Sequence, residues 1–359
     1  MPRALVVHPG PAFSVADVHR GWVRGLNAAG WDVVEYDLEN RLRFFSNAYL
    51  PHEDEFLLAF TQEGANWAAT EQLKSVVYDW WPDLVVVISG FFMTEHLATV
   101  LRARGHKLVW VMTESPYEDE RQQTQAGWGA DLVVVNDPTN LAGYDCPAIY
   151  VPHSYDPAVH GPGPATPELT SDVCIVGTGY PSRVRFLEQI DWSGIDLALL
   201  GMWRSLEGHR LERLVRTPGG KIAADEFVDD DDPLEQCIDN DLTVAWYRST
   251  KASINLYRRE AQRPDLSDGW AMGPREVELA ACHTFFLTEP RGENLEVFPE
   301  VPKFTTPDEA AELLRWYLAH PAARDRVVRL AAEKVAGWTF ERRVADVLAR
   351  LDRQPTTVS

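Results

Sequence analysis

The chain has 359 residues, 45% of them hydrophobic and 13 of them tryptophan, enough material for two cores at ordinary domain size. Its 34 basic against 54 acidic residues give a formal charge of −20, which weighs against tight binding to nucleic acid or an anionic membrane. Cys146, Cys174, Cys237 and Cys282 lie far apart with no C-x-x-C pair, which argues against a disulfide framework or a zinc site. The N-terminus enters a strand at once ("MPRALVVHPG"), so no signal peptide is expected. No apolar run approaches the ~20 residues of a membrane span, and a cytoplasmic protein is the expectation.

In chain order, "ALVVH" (4–8) predicts a strand, followed by a helix over 15–29 capped by Ser14 and a strand over 32–37. A polar and aromatic helical pattern covers roughly 53–80. Strands are expected at 83–90, 107–114, 131–136 and 148–153, with helices at 94–104 and 117–126 between them. Near-continuous Val/Ile/Leu runs alternating with amphipathic helices point to a parallel sheet covered on both faces. Residues 1–155 therefore read as one Rossmann-like domain.

The stretch 154–172, rich in proline and glycine, reads as a linker. The alternation then restarts: strands at 172–179, 196–201, 252–257 and 284–289, helices at 182–190, 233–248 and 274–282. Helices at 307–319, 321–336 and 339–352 close the chain. A second Rossmann-like domain over 172–335 is expected, with 336–359 as a terminal helix and tail. Ligands of open α/β sheets sit at the carboxyl ends of the strands, so two such edges facing across a cleft are the expected site.

Four segments bear chemistry. In "VGTGYPSRVRF", Gly177 and Gly179 lie between strand and helix, where backbone amides approach a phosphate, and Arg183 adds a cation in the first turn. A plain tight turn fits the two glycines equally well, and no P-loop or complete dinucleotide fingerprint is present. In "STKASINLYRRE", Lys251 precedes a strand and Arg258 and Arg259 follow it. Such cations suit a diphosphate, although charges that merely flank a core strand read the same way. In "GPREVELAACHTFFLTEP", Arg275 and Glu278 share a helix face while Val277, Ala280 and Ala281 turn to the core. A first-turn arginine gains little from the helix dipole unless an anion binds there, and Glu278 is placed to accept from a ribose diol. As a plain surface pair these two residues are worth only about 0.3–0.5 kcal/mol. The acidic run "FVDDDDPLEQCID" (227–239) reads as helix capping around Asp232-Pro233 and not as a metal site.

Taken together, "IVGTGYPSRVRFLEQI", "STKASINLYRRE", "GPREVELAACHTFFLTEPRGENLEVFPE" and "KFTTPDEAAELLRWYLAHPAARDRVVRLAAEKVAGWTFERRVADVLARL" resemble, in this order, the group 1 glycosyltransferases, specifically the spore-maturation CgeB-like branch with its GT-B fold. The first half resembles the family more loosely, through "HPGPAFSVADVHRGWVRGLNAAGWDVVEYD", "TESPY" and "VPHSYDP". The resemblance implies a UDP- or GDP-sugar donor in the second domain, used without a bound metal or other cofactor. Glu278 matches the glutamate that holds the donor ribose, and Arg183, Lys251 and Arg258 fall where cations meet the diphosphate. The loop from Glu289 takes the place of the family's donor loop, with backbone amides near Asn294 and Leu295. Two departures stand out: His283 replaces the usual glycine after Ala-Cys, and Trp270, eight residues before Glu278, replaces a second glutamate.

The resemblance leans toward retention of anomeric configuration. An inverting reaction would need a base from the first domain, with Glu114 first and His8 and His153 next. In this fold the terminal helix commonly returns to the first domain, with Trp338 and Phe340 as anchors. The acceptor class, whether protein, saccharide or small molecule, is open. Competing expectations are a nucleotide-sugar epimerase of the same fold, a two-domain protein that binds a small ligand without reacting, and a transferase acting on phage DNA.

Overall fold

Runs of valine, leucine and isoleucine become the strands of two separate parallel sheets. The structure, a computed structural model, describes residues 1–9, 15–47, 62–203, 211, 216–217, 220–221, 238–260 and 269–352. It divides into two units, Met1–Pro152 with Phe340–Ser359, and His153–Thr339.

The first unit runs β1 (Arg3–Val7), α1 (Ala16–Ala28), β2 (Asp32–Tyr36), α2 (Leu38–Asn47), α3 (Gln62–Glu71), α4 (Leu73–Trp80), β3 (Leu84–Ile88), α5 (Glu95–Ala103), β4 (Lys107–Met112), α6 (Asp119–Gly127), β5 (Leu132–Val135) and β6 (Ala148–Tyr150). Its six strands are all parallel, in the order β2-β1-β3-β4-β5-β6. Because side chains alternate along a strand, Leu5, Val7, Val85 and Val87 pack on one face with Leu97 and Leu101 of α5. Ala4, Val6, Leu84 and Val86 pack on the other with Trp22 and Leu26 of α1. Both faces are buried, which is why the strands read as unbroken apolar runs.

The helical pattern expected over 53–80 resolves into α3 and α4, while 48–61 lies outside the described residues. Helix α2 has no counterpart in the sequence reading. Its start is held by Asp37, whose Oδ1 accepts from the Asn40 amide at 3.0 Å.

The second unit runs β7 (Ser171–Val176), α7 (Pro181–Glu188), β8 (Leu197–Leu200), the short pair β9 (Arg216–Thr217) and β10 (Gly220–Lys221), α8 (Asn240–Ser249), β11 (Thr250–Asn255), α9 (Pro274–Ala281), β12 (Phe286–Thr288), α10 (Gly292–Val297), α11 (Pro307–Ala319) and α12 (Pro321–Val335). Its main sheet is parallel in the order β12-β11-β7-β8. The acidic run 227–239 falls outside the described residues except for Ile238 and Asp239, and Asp239 caps α8 by accepting from the Asp241 amide at 2.9 Å.

The proline-rich stretch 154–172 is built into this second unit. Ser154, Asp156 and His160 are buried. The Tyr155 amide donates to the Trp338 carbonyl at 3.0 Å, and Arg248 Nε donates to the Gly161 carbonyl at 2.7 Å.

After Thr339 the chain re-enters the first unit as α13 (Phe340–Leu351), which packs along α1. Gly21 and Gly25 make this close approach possible: a Cβ on Gly21 would lie 2.2 Å from the Phe340 ring, and one on Gly25 2.7 Å from Val344 Cγ2. Phe340, Val344, Val347 and Leu351 are buried in the same cluster as Trp22 and Leu26. Burial of this kind contributes roughly 1.5–3 kcal/mol per large side chain.

Candidate active site

The carboxyl edge of the second sheet is formed by the residues that leave β7, β8, β11 and β12. Gly177, directly after β7, has φ +145°, and Gly201, after β8, has φ +104°. The two loops touch, since a Cβ on Gly201 would stand 2.5 Å from the Gly177 carbonyl oxygen. Side chains are excluded from both positions by conformation and by contact.

Two arginines close on Gly177. A Cβ there would lie 2.5 Å from Arg275 Nη2 and 3.6 Å from Arg183 Nη1. Arg183 is fixed by hydrogen bonds from Nε to the Leu256 carbonyl and from Nη1 to the Thr178 carbonyl, both 2.9 Å. It thereby ties the loop after β7 to the end of β11. Arg275, in the first turn of α9, hydrogen-bonds the buried Tyr247, and its own buried Nε has no hydrogen bond among the described residues. Gly179 abuts the fully buried Trp203: a Cβ on it would fall 2.2 Å from the indole.

Tyr180 is flanked by two guanidinium groups, Arg183 at 5.2 Å and Arg258 at 5.1 Å from the ring centroid. The start of α7, read from sequence as a place for phosphate, holds a carboxylate of the chain itself. Glu260 accepts from the Ser182 amide and hydroxyl, each at 3.0 Å. Burial pushes the Glu260 carboxyl up, but these bonds outweigh it and hold its pKa below the ordinary value.

Glu278 is half-buried on α9, one turn beyond Arg275, and a carboxylate oxygen lies within 4.8 Å of a ring nitrogen of His160. The neighbouring Cys282 accepts from the Gly161 amide, and burial pushes its thiol up to about 12. The segment 160–161 therefore lies along this face of α9.

Beneath the edge runs a buried network that sequence reasoning missed. Glu276, fully buried, accepts from Thr288 Oγ1 and Asn294 Nδ2, each at 2.9 Å, from the Gly273 amide at 2.8 Å, and from the Tyr257 hydroxyl. Burial raises its pKa above the ordinary value against the pull of these donors. Glu289 accepts from the Tyr257 amide at 2.7 Å and from Arg259 Nη2 at 2.8 Å. Arg291 lies over the Tyr257 ring at 3.7 Å and donates to the Ala271 carbonyl at 2.9 Å. The missed signal is positional: Glu276 sits three residues after the Gly273 N-cap and four before the buried Ala280, on the core side of α9.

Gly177, Gly179, Arg183, Arg258, Arg275 and Glu289 thus all belong to the carboxyl edge. Asn294 does too, but its side chain points inward to Glu276, and the Leu295 amide is spent on the Arg291 carbonyl at 3.0 Å while its side chain is exposed. Lys251 requires a correction. It stands at the beginning of β11, at the amino edge, paired with Asp172 of β7 at 2.7 Å. A residue that precedes a parallel strand faces away from the carboxyl edge, so Lys251 has no place among the cations of this site.

In the first unit, Glu114 follows β4 and is half-buried, its carbonyl accepting from the Tyr117 and Glu118 amides at 2.7 and 3.0 Å. His8 follows β1, its amide bonded to the Tyr36 carbonyl at 3.0 Å, and its ring meets that of the buried His19 edge-on at 4.7 Å between centroids. His153 opens the second unit.

Residues 183–349 match a family described as "Glycosyl transferase-like". The matched segment is just under half of the chain, and the fold of the whole is that of GT-B glycosyltransferase structures. The whole chain is similar in fold to sucrose-phosphate synthase from Thermosynechococcus elongatus, at a TM-score of 0.63 and 13% identity over 99% of both chains. It is similar to the trehalose-6-phosphate protein of E. coli bound with UDP-2-fluoro glucose, at 0.59 and 13% over 98% of this chain and 99% of that one. A putative UDP-N-acetylglucosamine 2-epimerase from Listeria monocytogenes is also similar, at 0.59 and 12% over 98% and 95%. No curated protein matches the sequence. The glycosyltransferase match begins at Arg183, so it includes Arg258, Arg275, Glu278 and Glu289, while Gly177 and Gly179 lie just ahead of it. Among the described residues no helix is long and apolar enough to cross a membrane.

Proposed function

We propose that the protein transfers a glycosyl group from a nucleoside diphosphate-sugar, most simply a UDP- or GDP-sugar, to a hydroxylated acceptor. One observation carries this reading: Arg183 and Arg275 converge on the side-chain-free turn at Gly177, at the carboxyl edge of a sheet whose domain matches a glycosyltransferase family. Two guanidinium groups at a turn free of side chains suit a diphosphate, the amides of Gly177 and Gly179 being spent on the Leu200 and Met202 carbonyls, and neutralising the departing diphosphate is the main electrostatic task of such a transfer. Arg258, across Tyr180 from Arg183, is the third cation of this cluster, and Glu278 takes the ribose hydroxyls. Glu260, which now caps α7, is the internal anion that a bound diphosphate would face.

The reaction is taken to proceed without a metal and with retention; should it invert, Glu114 and His8 are the first-unit groups to test as base. We further assign the chain to the CgeB-like branch and to the cytoplasm, the latter in keeping with the free thiols of Cys146, Cys174 and Cys282. An epimerase is the second reading, supported by the likeness of fold to the Listeria monocytogenes protein.

A thermal-shift panel of nucleoside diphosphates and nucleotide sugars on wild type and Glu278→Ala tests the donor site. The expected result is a nucleotide that stabilises the wild type at millimolar concentration and loses most of that effect on the variant. A wild type unmoved by every nucleotide would overturn the reading. Incubation of the stabilising nucleotide sugar with candidate acceptors then separates transfer from epimerisation.

A further inference from the structure

The loop that leaves β11 carries a negative charge into the cation cluster. Arg258 and Arg183 lie over the ring of Tyr180, and two residues beyond Arg258 the carboxylate of Glu260 is bonded to Ser182, the neighbour of Arg183 in α7. We infer that Glu260 is a built-in competitor of the donor's diphosphate, which holds down the affinity of this edge for anions and favours the sugar nucleotide over the bare nucleoside diphosphate, the leaving product. The inference rests on the nucleotide-sugar reading above and adds to it a residue that sets how tightly each of the two nucleotides is held.

Placement is the first argument. Glu260 Oε1 accepts from the Ser182 amide and Oε2 from the Ser182 hydroxyl, each at 3.0 Å, and the Arg259 amide donates to Oε2 at 3.3 Å. The loop is braced in this position: Arg258 Nε donates to the Glu260 carbonyl at 2.5 Å, and Arg183 Nε to the Leu256 carbonyl at 2.9 Å. Arg183 also holds the Thr178 carbonyl, next to Gly177. One arginine therefore joins the helix turn that Glu260 caps to the turn assigned to the diphosphate. The Ser182 amide belongs to the first turn of α7, the end of a helix that favours an anion, and the chain supplies that anion itself.

Charge is the second argument. Burial opposes the charged form of Glu260, but the hydrogen bonds from Ser182 outweigh it and hold the carboxyl below its usual range, so the group is negative at neutral pH. Because Glu260 is only partly buried, its repulsion of another anion is screened without being cancelled. A bare nucleoside diphosphate carries about one negative charge more than its sugar conjugate, since its terminal phosphate loses a second proton with a pKa of about 6. A fixed carboxylate beside that phosphate costs the product more than the donor and so promotes its release after transfer. A helix cap alone has no such consequence. Glutamine also offers Ser182 an acceptor, so if capping were the whole role of Glu260, Glu260→Gln would leave both affinities where they are.

Calorimetric titration of the full chain with UDP, GDP, UDP-glucose and GDP-mannose tests the inference on wild type, Glu260→Gln and Glu260→Ala, with melting curves to verify folding. Glu260→Gln removes the charge and keeps the cap, whereas Glu260→Ala removes both. In each variant the better-bound bare diphosphate should tighten about tenfold and its sugar nucleotide about threefold, with the gap closing at high salt. Unchanged affinities in Glu260→Gln, equal gains for the two ligands, or a loss of affinity would overturn the inference, while binding to the wild type keeps the donor reading standing. If no nucleotide binds any of the three proteins, the donor reading itself fails and takes the inference with it.

Discussion

The two sheet edges of this protein are built from different chemistry. At the edge of the second unit, arginines and glutamates are tied into one another: Arg183 to Leu256 and Thr178, Glu260 to Ser182, Glu289 to Tyr257 and Arg259, and Glu276 to four donors. At the first unit's β1–β2 edge, the polar groups are neutral histidines near carboxylates: His8 and His19 in ring contact, with Glu39 4.0 Å from His8 and Glu35 3.6 Å from His19. The edge of the second unit carries its cations in place before any ligand arrives. Fixed guanidinium groups cost no reorganisation when an anion arrives, whereas the histidine pair carries its charge only when acid supplies it.

The largest expected effect comes from Glu276. Replacing it by alanine strands the buried donors of Tyr257, Gly273, Thr288 and Asn294, and the second unit should lose about 3–5 kcal/mol in urea unfolding. Glu276→Gln keeps an acceptor in place and should cost clearly less. Equal losses in the two variants would mean that shape and not hydrogen bonding holds this edge.

Acid should strike the first unit in particular. Burial, then the neighbouring His8 and Arg20, lower His19 to about 4, well below the 6.5 of an unfolded histidine. Between those values the unfolded chain binds the extra proton, so stability is full above pH 6.5 and falls as pH drops toward 4. Thermal melts of His19→Asn across that window should show a flatter pH dependence than wild type; parallel curves would remove His19 from the account.

Smallest of all is the effect of Lys251. Its pair with Asp172 is largely exposed on the lysine side, at 58%, so Lys251→Ala should change stability by no more than about 1 kcal/mol.

Much of the architecture was legible in the sequence. Apolar runs such as "LVVVI" and "SDVCIV" became buried parallel strands, because both faces of these sheets are covered. What could not be read depended on contacts between distant residues. The stretch 154–172 has the composition of a linker, yet Arg248 and Trp338 bind it into the second unit. Glu276 is not legible as part of the site because a buried carboxylate needs partners, and three of its four, Tyr257, Thr288 and Asn294, are distant in sequence. Lys251 differs in kind: chain direction alone puts a residue at the start of a parallel strand at the amino edge, away from the cations of the carboxyl edge.

On the function proposed above, the donor's diphosphate is met at Gly177 by the cations of the carboxyl edge. Calorimetric titration of UDP and GDP into wild type, Arg275→Gln and Lys251→Gln tests it most directly. The better-bound nucleotide should lose about tenfold in affinity with Arg275→Gln and be unaffected by Lys251→Gln. Equal affinity for wild type and Arg275→Gln, or a loss confined to Lys251→Gln, would contradict it.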